Sequence, residues 1–296
     1  APEAAIYLVA TGTAANSLAL ATLSQPFQTI FCSPVAHIHE DECNAPEFYT
    51  GGAKLTLVPG GDKMSAEALR QSIAGEEVRG VPGPQRRPVS ITQGTEVGSV
   101  YTTEELSALC AVAKDYDLPV HLDGARFTNA LVSLKCSPAD MTWKAGIDVV
   151  SFGGTKNGLM GVEAVICFDP KLAWEFELRR KRGAHLFSKH RYLSGQMLAY
   201  LRDDLWLSSA QAANDSCAFL PAASQAAGPT LQIPPANMLF AAFPRATHPR
   251  LLDPCALYHL RAPPPHATAH APVHGRHGAY CAHTLTHYTS HLTLPQ

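Results

Sequence analysis

The sequence of 296 residues has little charge, since only 16% of its residues are Asp, Glu, Lys or Arg, against about 25% in an ordinary globular protein. The formal net charge is −2, and the lack of a basic excess argues against a nucleic-acid partner or a polybasic membrane-binding surface. No apolar run approaches the ~20 residues that span a bilayer. No basic stretch precedes an apolar segment near Ala1, as a secretory signal would require. We therefore expect a globular protein of one large or two ordinary domains.

The eight cysteines lack the spacing of a disulfide framework or a zinc site. They are scattered along the chain without a CxxC pair, and several lie in apolar surroundings. Free cysteine in such surroundings behaves as a small buried hydrophobe. This pattern predicts unpaired thiols and a reducing, cytoplasmic location.

The C-terminal third is poorer still in charge. The last lysine is Lys189 and the last glutamate is Glu177, whereas nine of the 14 histidines lie from His248 onward. We predict two domains, at residues 1–207 and 208–296, with irregular structure over residues 262–296.

The histidine-rich end of the chain has two explanations. Its composition resembles the translation of a GC-rich gene in the wrong reading frame. If that is the cause, one of the other two frames of the DNA should encode a sequence that resembles a known protein family. A zinc or nickel site is the weaker alternative, because prolines prevent one helical face from presenting four of the histidines together. Those four are His266, His270, His274 and His277. We predict no metal site.

Helical and strand patterns alternate along the first two thirds of the chain. Helices are predicted at residues 13–23, 65–73, 102–116, 174–182 and 210–227, and strands at 29–33, 54–58, 89–92, 119–122, 149–152, 164–168 and 237–243. Thr103 is the expected N-cap of the third helix, before two acids in its first turn. Strands separated by helices of this length predict an α/β fold with a mostly parallel sheet, in which ligands bind beyond the C-terminal strand ends.

Three segments carry chemistry in this framework. Lys156 follows a strand and two glycines, where partial burial would favour a Schiff base with a carbonyl. Asp123 ends a strand, where a carboxylate can pair with a protonated pyridine nitrogen. Thr11-Gly12-Thr13 opens a helix whose N–H groups would favour a phosphate. Taken singly, the first is better explained as an ordinary surface lysine, and the other two can be explained as an Asp-Gly turn and a simple helix cap.

Their order along the chain is that of aspartate-aminotransferase-type pyridoxal enzymes, and six segments make the resemblance specific. These segments resemble motifs of low-specificity L-threonine aldolases, with the bacterial threonine and phenylserine aldolases as the nearest branch. They are Ala10-Thr-Gly-Thr-Ala-Ala-Asn16, Ala36-His-Ile-His-Glu-Asp-Glu-Cys43, Phe48-Tyr-Thr-Gly-Gly-Ala-Lys54, Leu122-Asp-Gly-Ala-Arg-Phe127, Ser151-Phe-Gly-Gly-Thr-Lys156 and Arg180-Lys-Arg-Gly-Ala-His-Leu-Phe-Ser-Lys189.

The resemblance implies a pyridoxal-phosphate-dependent transferase-like fold (fold type I), with a large domain and a smaller α+β C-terminal domain. It implies Lys156 as the Schiff-base lysine and Asp123 as the partner of the pyridine nitrogen. The other implied contacts are Gly12 and Thr13 to the phosphate with help from Asn16, and Arg126 to the cofactor or the substrate carboxylate. His37 is implied to stack over the ring and to act as the base that removes the proton of the substrate hydroxyl, directly or through a water.

Two implied assignments keep an alternative open. In an extended segment His39 would share a face with His37, and only the family motif favours His37. Lys181 and Lys189, with Arg191, are candidates for a basic rim that binds substrate, or are equally a solvated helix end.

The implied reaction is retro-aldol cleavage of L-threonine, allo-threonine or phenylserine to glycine and an aldehyde, with pyridoxal 5'-phosphate as the cofactor. The alternatives are a transaminase, a β-eliminating lyase, or an inactive remnant that only binds the cofactor. Family members are homodimers or homotetramers. Relative to them, the chain opens inside the large domain, and Arg276 is a candidate for a late substrate-binding arginine.

Overall fold

The computed structural model describes residues 3–76, 79–224, 235–244, 259–261 and 278–284. Its larger sheet has seven strands in the order β1-β7-β6-β5-β4-β2-β3. They are β1 Ala5–Val9, β2 Gln28–Cys32, β3 Lys54–Leu57, β4 Gln85–Thr92, β5 Val120–Gly124, β6 Val149–Gly153 and β7 Glu163–Cys167. Strands β2 to β6 run parallel, while β7 is antiparallel to both β6 and β1. The mostly parallel α/β sheet predicted from the sequence is confirmed.

Nine α-helices fall within the described residues. They are α1 Gly12–Leu23, α2 His37–Glu40, α3 Ala45–Thr50, α4 Ala66–Glu76, α5 Thr103–Asp115, α6 Phe127–Leu134, α7 Ala173–Arg182, α8 Arg191–Leu201 and α9 Leu205–Ser224. Within this part of the chain, no helix is both long and apolar enough to cross a membrane. The sequence patterns did not predict α2, α3, α6, α8 or strand β1, most of which are short.

A second sheet contains three antiparallel strands, ordered β8-β10-β9. They are β8 Met238–Pro244, β9 His259–Arg261 and β10 Gly278–Thr284. The expectation of irregular structure over residues 262–296 is therefore wrong for β10, because pairing between strands overrides a sequence without clear alternation. The possible metal ligands His266, His270, His274 and His277, together with Arg276, lie outside the described residues. Helix α9 runs across residue 207, and the predicted domain boundary there stays a prediction.

Helix α1 is buried along almost its whole length, from Ala14 to Leu23. It packs against α3, α7 and strands β6 and β7, which explains why apolar and small residues occupy all of its faces. This packing fixes its N-terminus at the edge of the sheet where the parallel strands end. Thr92, Asp123 and Ser151 lie side by side at that edge, as register partners in β4, β5 and β6.

The N-cap of helix α5 lies one residue earlier in the chain than the sequence predicts. Thr102, and not Thr103, is the N-cap: its Oγ1 accepts the Glu105 N–H at 3.2 Å, and Glu105 Oε2 accepts the Thr102 N–H at 2.8 Å. This reciprocal capping box needs a glutamate three residues after the cap. Counted from Thr103, that position is Leu106.

We expect Thr102→Ala to lower the free energy of unfolding by about 1 kcal/mol, because it leaves a first-turn N–H group without its acceptor. The matched variant Thr103→Ala should cost less than about 0.5 kcal/mol, because it is a surface substitution that removes no cap. Urea unfolding followed by circular dichroism measures both. An equal loss in the two variants would contradict the assignment of the cap.

Candidate active site

A cavity of about 360 Å³ lies at the sheet edge where β4, β5 and β6 end. Cavities of this size hold small ligands. Seven of the residues proposed from the sequence line it together: Gly12, Thr13, Asn16, His37, Asp123, Arg126 and Lys156. The lining also includes three glutamates that the sequence interpretation did not assign to the site: Glu42, Glu96 and Glu163.

The N-terminus of α1 forms one wall of this cavity. Thr11 is extended at the N-cap, and its Oγ1 accepts the Ala14 N–H at 3.1 Å. The first-turn N–H groups of a helix have no acceptor within the helix, and the helix dipole favours an anion beside them. A Cβ at Gly12 would meet nothing within 4 Å, so the space in front of this turn is open. The wall is suited to a phosphate group.

Two glycines bring the lysine to the cavity. Strand β6 ends at Gly153, where a Cβ would come within 2.6 Å of the Ala125 carbonyl oxygen. A Cβ at Gly154 would lie 2.6 Å from the Val162 carbonyl oxygen. The chain then makes one 3₁₀ turn, Thr155–Asn157, which carries Lys156. The close backbone approach therefore requires the two glycines that precede this turn.

The surroundings of Lys156 favour its neutral amine. Burial lowers the pKa of Lys156, and the nearby Arg126 guanidinium lowers it further, while Asp123, Glu96 and Glu163 oppose that change. A lysine with a lowered pKa is a better nucleophile toward a carbonyl carbon. The geometry thus agrees with the chemistry that the sequence position predicts for Lys156.

Asn16 joins two carboxylates at the floor of the cavity. Its Nδ2 donates to Asp123 Oδ2 and to Glu42 Oε1, each at 2.9 Å. The second oxygen of Asp123 accepts the Ala125 N–H at 3.0 Å. The structure therefore places the Asn16 amide toward the carboxylates, and not in the phosphate role that the sequence interpretation gave it. Asn16 lies more than one turn into α1, so its side chain is directed to the carboxylates and not to the free N–H groups of the first turn.

His37 continues this chain of hydrogen bonds. Its Nδ1 lies 2.9 Å from Glu42 Oε1, and Glu42 has a fully buried side chain. That hydrogen bond is the main cause of a raised pKa for His37. Burial in turn raises the pKa of Glu42, although its bonds to His37 and Asn16 oppose the change. Asp123, Asn16, Glu42 and His37 thus form one connected polar network.

The structure separates His37 from His39, which the sequence did not. The segment is the short helix α2 and is not extended. Residues two apart on a helix point about 200° away from each other, whereas on a strand they would share a face. His37 lines the cavity, while His39 is exposed and does not.

His121 lies in the same strand as Asp123 and is hydrogen-bonded to the two neighbouring strands. It lies two residues before Asp123 in β5, fully buried, with Nδ1 3.0 Å from Ser90 Oγ and Nε2 2.9 Å from Ser151 Oγ. Burial lowers the pKa of His121 to about 4, so its ring is neutral at physiological pH. It adds no positive charge beside Asp123.

Two of the proposed substrate-binding residues do not reach the cavity. Lys181 and Lys189 are exposed, as is Arg191, and none of them lines it. Lys181 points to solvent from the last turn of α7, while its neighbour Arg180 is buried and stacks 5.1 Å from the Tyr7 ring. The basic motif thus packs against β1 through Arg180 and leaves its lysines at the surface.

The three additional glutamates reach the cavity from three different parts of the chain. Glu96 comes four residues after the end of β4, and Glu163 begins β7, where its Oε2 accepts the Gly154 N–H at 2.8 Å. Glu42 lies inside a motif quoted from the sequence. Ligands bind beyond the C-terminal ends of parallel strands, and this rule could have identified Glu96. The sequence analysis predicted the strand at residues 89–92 but did not consider the loop that follows it.

Comparisons with known proteins agree with this geometry. A family model described as beta-eliminating lyase matches residues 2–237. The low-specificity L-threonine aldolase of Pseudomonas sp. (strain NCIMB 10558) is 47% identical over 71% of this chain and 60% of its own length. That of Pseudomonas aeruginosa is 42% identical over 87% of this chain and 72% of its own length.

The fold has a counterpart among solved structures. The threonine aldolase of Leishmania major superposes with a TM-score of 0.85 at 24% identity, covering 98% of this chain and 81% of that one. This likeness confirms the fold-type-I architecture expected from the sequence. On the match over residues 2–237 and the 42% identity across 72% of an established relative, the chain belongs to the beta-eliminating lyase family, among its low-specificity L-threonine aldolases.

Proposed function

We propose that this chain is a pyridoxal-phosphate-dependent carbon–carbon lyase. It cleaves a β-hydroxy-α-amino acid, such as L-threonine, allo-threonine or phenylserine, to glycine and an aldehyde. The observation that carries the proposal is one cavity in which a lysine of lowered pKa, an anchored aspartate and a carboxylate-bound histidine face each other. The chain spans 60% and 72% of the lengths of its two Pseudomonas relatives, and the activity of the whole protein is inferred from them.

The groups that line the cavity fit the cofactor. The open turn at Gly12 and Thr13 suits a phosphate, and Asp123 suits the protonated nitrogen of a pyridine ring. Lys156 supplies the amine that would attach the cofactor covalently. When bound, pyridoxal phosphate supplies the electron sink that makes cleavage at the amino-acid Cα possible.

The chain's own residues position the reacting groups. Asn16 and the Ala125 N–H engage both oxygens of Asp123, which prevents that carboxylate from rotating away from a ring nitrogen. Arg126 lies close enough to Lys156 and Glu96 to influence both, and would contact the cofactor or the substrate carboxylate. His37 would lie over the ring and contact the substrate hydroxyl, directly or through a water.

Two other activities are compatible with the same fold. A transaminase would convert an amino acid to a keto acid, and a β-eliminating lyase would release pyruvate and ammonia from serine-like substrates. The histidine held by Glu42 favours the aldolase over the transaminase, because it adds a polar contact for a β-hydroxyl oxygen. Release of glycine and not of pyruvate distinguishes the aldolase from the β-eliminating lyase. Cofactor absorbance without any product would instead indicate an inactive remnant.

We propose that the protein acts in the cytoplasm as a homodimer or homotetramer. Free thiols at Cys32, Cys110 and Cys167, among the described cysteines, are consistent with a reducing compartment. Large apolar side chains at Phe48 and Trp174 are 79% and 72% exposed, and would be covered in an assembly. In such an assembly Lys181 and Lys189 could bind substrate at the cavity of a neighbouring copy.

Lys156→Ala should abolish both the visible absorbance of the bound cofactor and the release of glycine from L-threonine and from phenylserine. The reason is that no other described lysine lines the cavity. The control Lys144→Ala removes an exposed lysine that pairs with Asp140 and does not line the cavity, and it should leave both readouts unchanged. Glycine release by the Lys156 variant at the parental rate would refute the proposal.

Glu42→Gln should lower the pKa of His37, since the hydrogen bond to the Glu42 carboxylate is what raises it above 6.5. Between the two pKa values, the parent's ring is protonated while the variant's is neutral. Titration of the histidine ring resonances by NMR measures the change, with the exposed Glu40→Gln on the same helix as the control. The same titration midpoint in parent and Glu42 variant would contradict the role given to Glu42.

A further inference from the structure

Glu96 is a buried carboxylate of the cavity that the roles above leave unused. It is 5% exposed and lies in the loop between β4 and α5. Its Oε1 accepts the backbone N–H of His37 at 2.8 Å. Within the described residues its Oε2 has no hydrogen-bond partner. A buried carboxylate oxygen without a hydrogen bond lowers the free energy of unfolding, unless a ligand supplies the missing partner.

The hydrogen bond between His37 and Glu42 favours the protonated form of the imidazole, which makes His37 a weaker acceptor for a substrate proton. Its Nδ1 is held by Glu42 Oε1 at 2.9 Å, and this bond raises the pKa of the ring. A protonated imidazole donates through both nitrogens and has no lone pair left to accept. His37 in that form can hold the oxygen of a substrate hydroxyl, and a carboxylate in the same cavity is then the alternative acceptor for its hydrogen.

We propose that Glu96 accepts the proton of the substrate's β-hydroxyl, while His37 orients the same hydroxyl oxygen. This assignment rests on the proposed aldolase function. The O–H proton passes to Glu96 Oε2, the carbon–oxygen single bond becomes the aldehyde double bond, and the Cα–Cβ bond breaks. The electron pair of that bond stays with Cα, where one proton is later added to give glycine. One proton leaves and one is added, so no co-reactant is needed.

The electrostatic surroundings of Glu96 agree with this role. Burial, and then the neighbouring Asp123, raise the pKa of Glu96 to about 7, against the opposing hydrogen bond from His37 and the charge of Arg126. A general base works best when its pKa lies near the working pH. The titratable groups that act on Glu96 or feel its charge are Cys32, His37, Tyr101, Asp123, Arg126 and Lys156. Cleavage should therefore increase as the pH rises through about 7.

The test compares Glu96→Gln with the parent holoenzyme. The glutamine keeps an oxygen that can accept the His37 N–H but cannot take a proton from substrate. We expect glycine release from L-threonine to fall ~10²–10⁴-fold, as for loss of a general base, and the rise with pH to disappear. Cofactor absorbance and the exchange of glycine's α-hydrogen with deuterated water should stay near parental values, because neither involves a β-hydroxyl.

Two further variants serve as controls for this interpretation. Glu96→Asp keeps a carboxylate on a shorter side chain, and should recover part of the rate together with the pH dependence. Glu40→Gln removes an exposed carboxylate from α2 and should change neither. Without cofactor, ¹³C NMR of the glutamate carboxyl carbons should show one resonance that titrates near pH 7 in the parent and is missing in Glu96→Gln.

The outcomes separate this inference from the function on which it rests. A parent that releases no glycine from L-threonine or phenylserine refutes the aldolase proposal and this inference with it. An active parent whose Glu96→Gln variant keeps its rate refutes the role of Glu96 alone. A variant that loses cleavage and α-hydrogen exchange in equal proportion also refutes it, because the effect would then not be specific to the β-hydroxyl.

Discussion

Four carboxylates that surround one cavity set the constraint on which the rest of this site depends. Glu42, Glu96, Asp123 and Glu163 all line it, and like charges at close range disfavour one another's ionised forms. The protein offsets this with hydrogen-bond donors and cations placed between them. Asn16 donates to both Asp123 and Glu42, the Gly154 N–H donates to Glu163, and the Arg126 guanidinium supplies positive charge nearby. Where that compensation is least complete, at Glu96, the pKa is raised to about 7. The same constraint thus produces both an aspartate fixed by two hydrogen bonds and a second carboxylate whose protonation can change near pH 7.

The sheet makes this crowding possible. Strands β4, β5 and β6 are parallel and in register, so Thr92, Asp123 and Ser151 reach one edge together. The N-terminus of α1 faces the same edge because the rest of that helix is buried against the sheet. A helix dipole and three strand ends therefore meet at one place before any functional side chain is added. The position of Lys156 then depends on two glycines that let the following turn approach the backbone of Ala125 and Val162.

Local pattern was enough to predict part of this arrangement. Gly12, Asp123 and Lys156 were found because each follows or begins a regular element, and the edge of a parallel sheet brings such positions together. The sequence could not show that Asn16 turns away from the helix N-terminus toward two carboxylates, since one of them, Asp123, is 107 residues away. Nor could it separate His37 from His39 without knowing that a four-residue segment is helical. Glu96 was missed for the same reason: its importance lies in burial and in a contact with His37 that no spacing reveals.

The scarcity of charge in the chain is easier to understand from the site. All the residues that line the cavity lie between Ala10 and Glu163, so the charge-poor later sequence adds no side chain to its lining among the described residues. It contributes support instead. Asn157, which follows Lys156, donates to Tyr200 Oη at 2.6 Å and to the Trp206 carbonyl oxygen at 2.8 Å. Helices α8 and α9 thereby hold the turn that carries the lysine, through one amide and largely apolar packing around Phe152. Among the described residues, the chain after Glu163 therefore holds the turn in place without adding a charged side chain to the cavity.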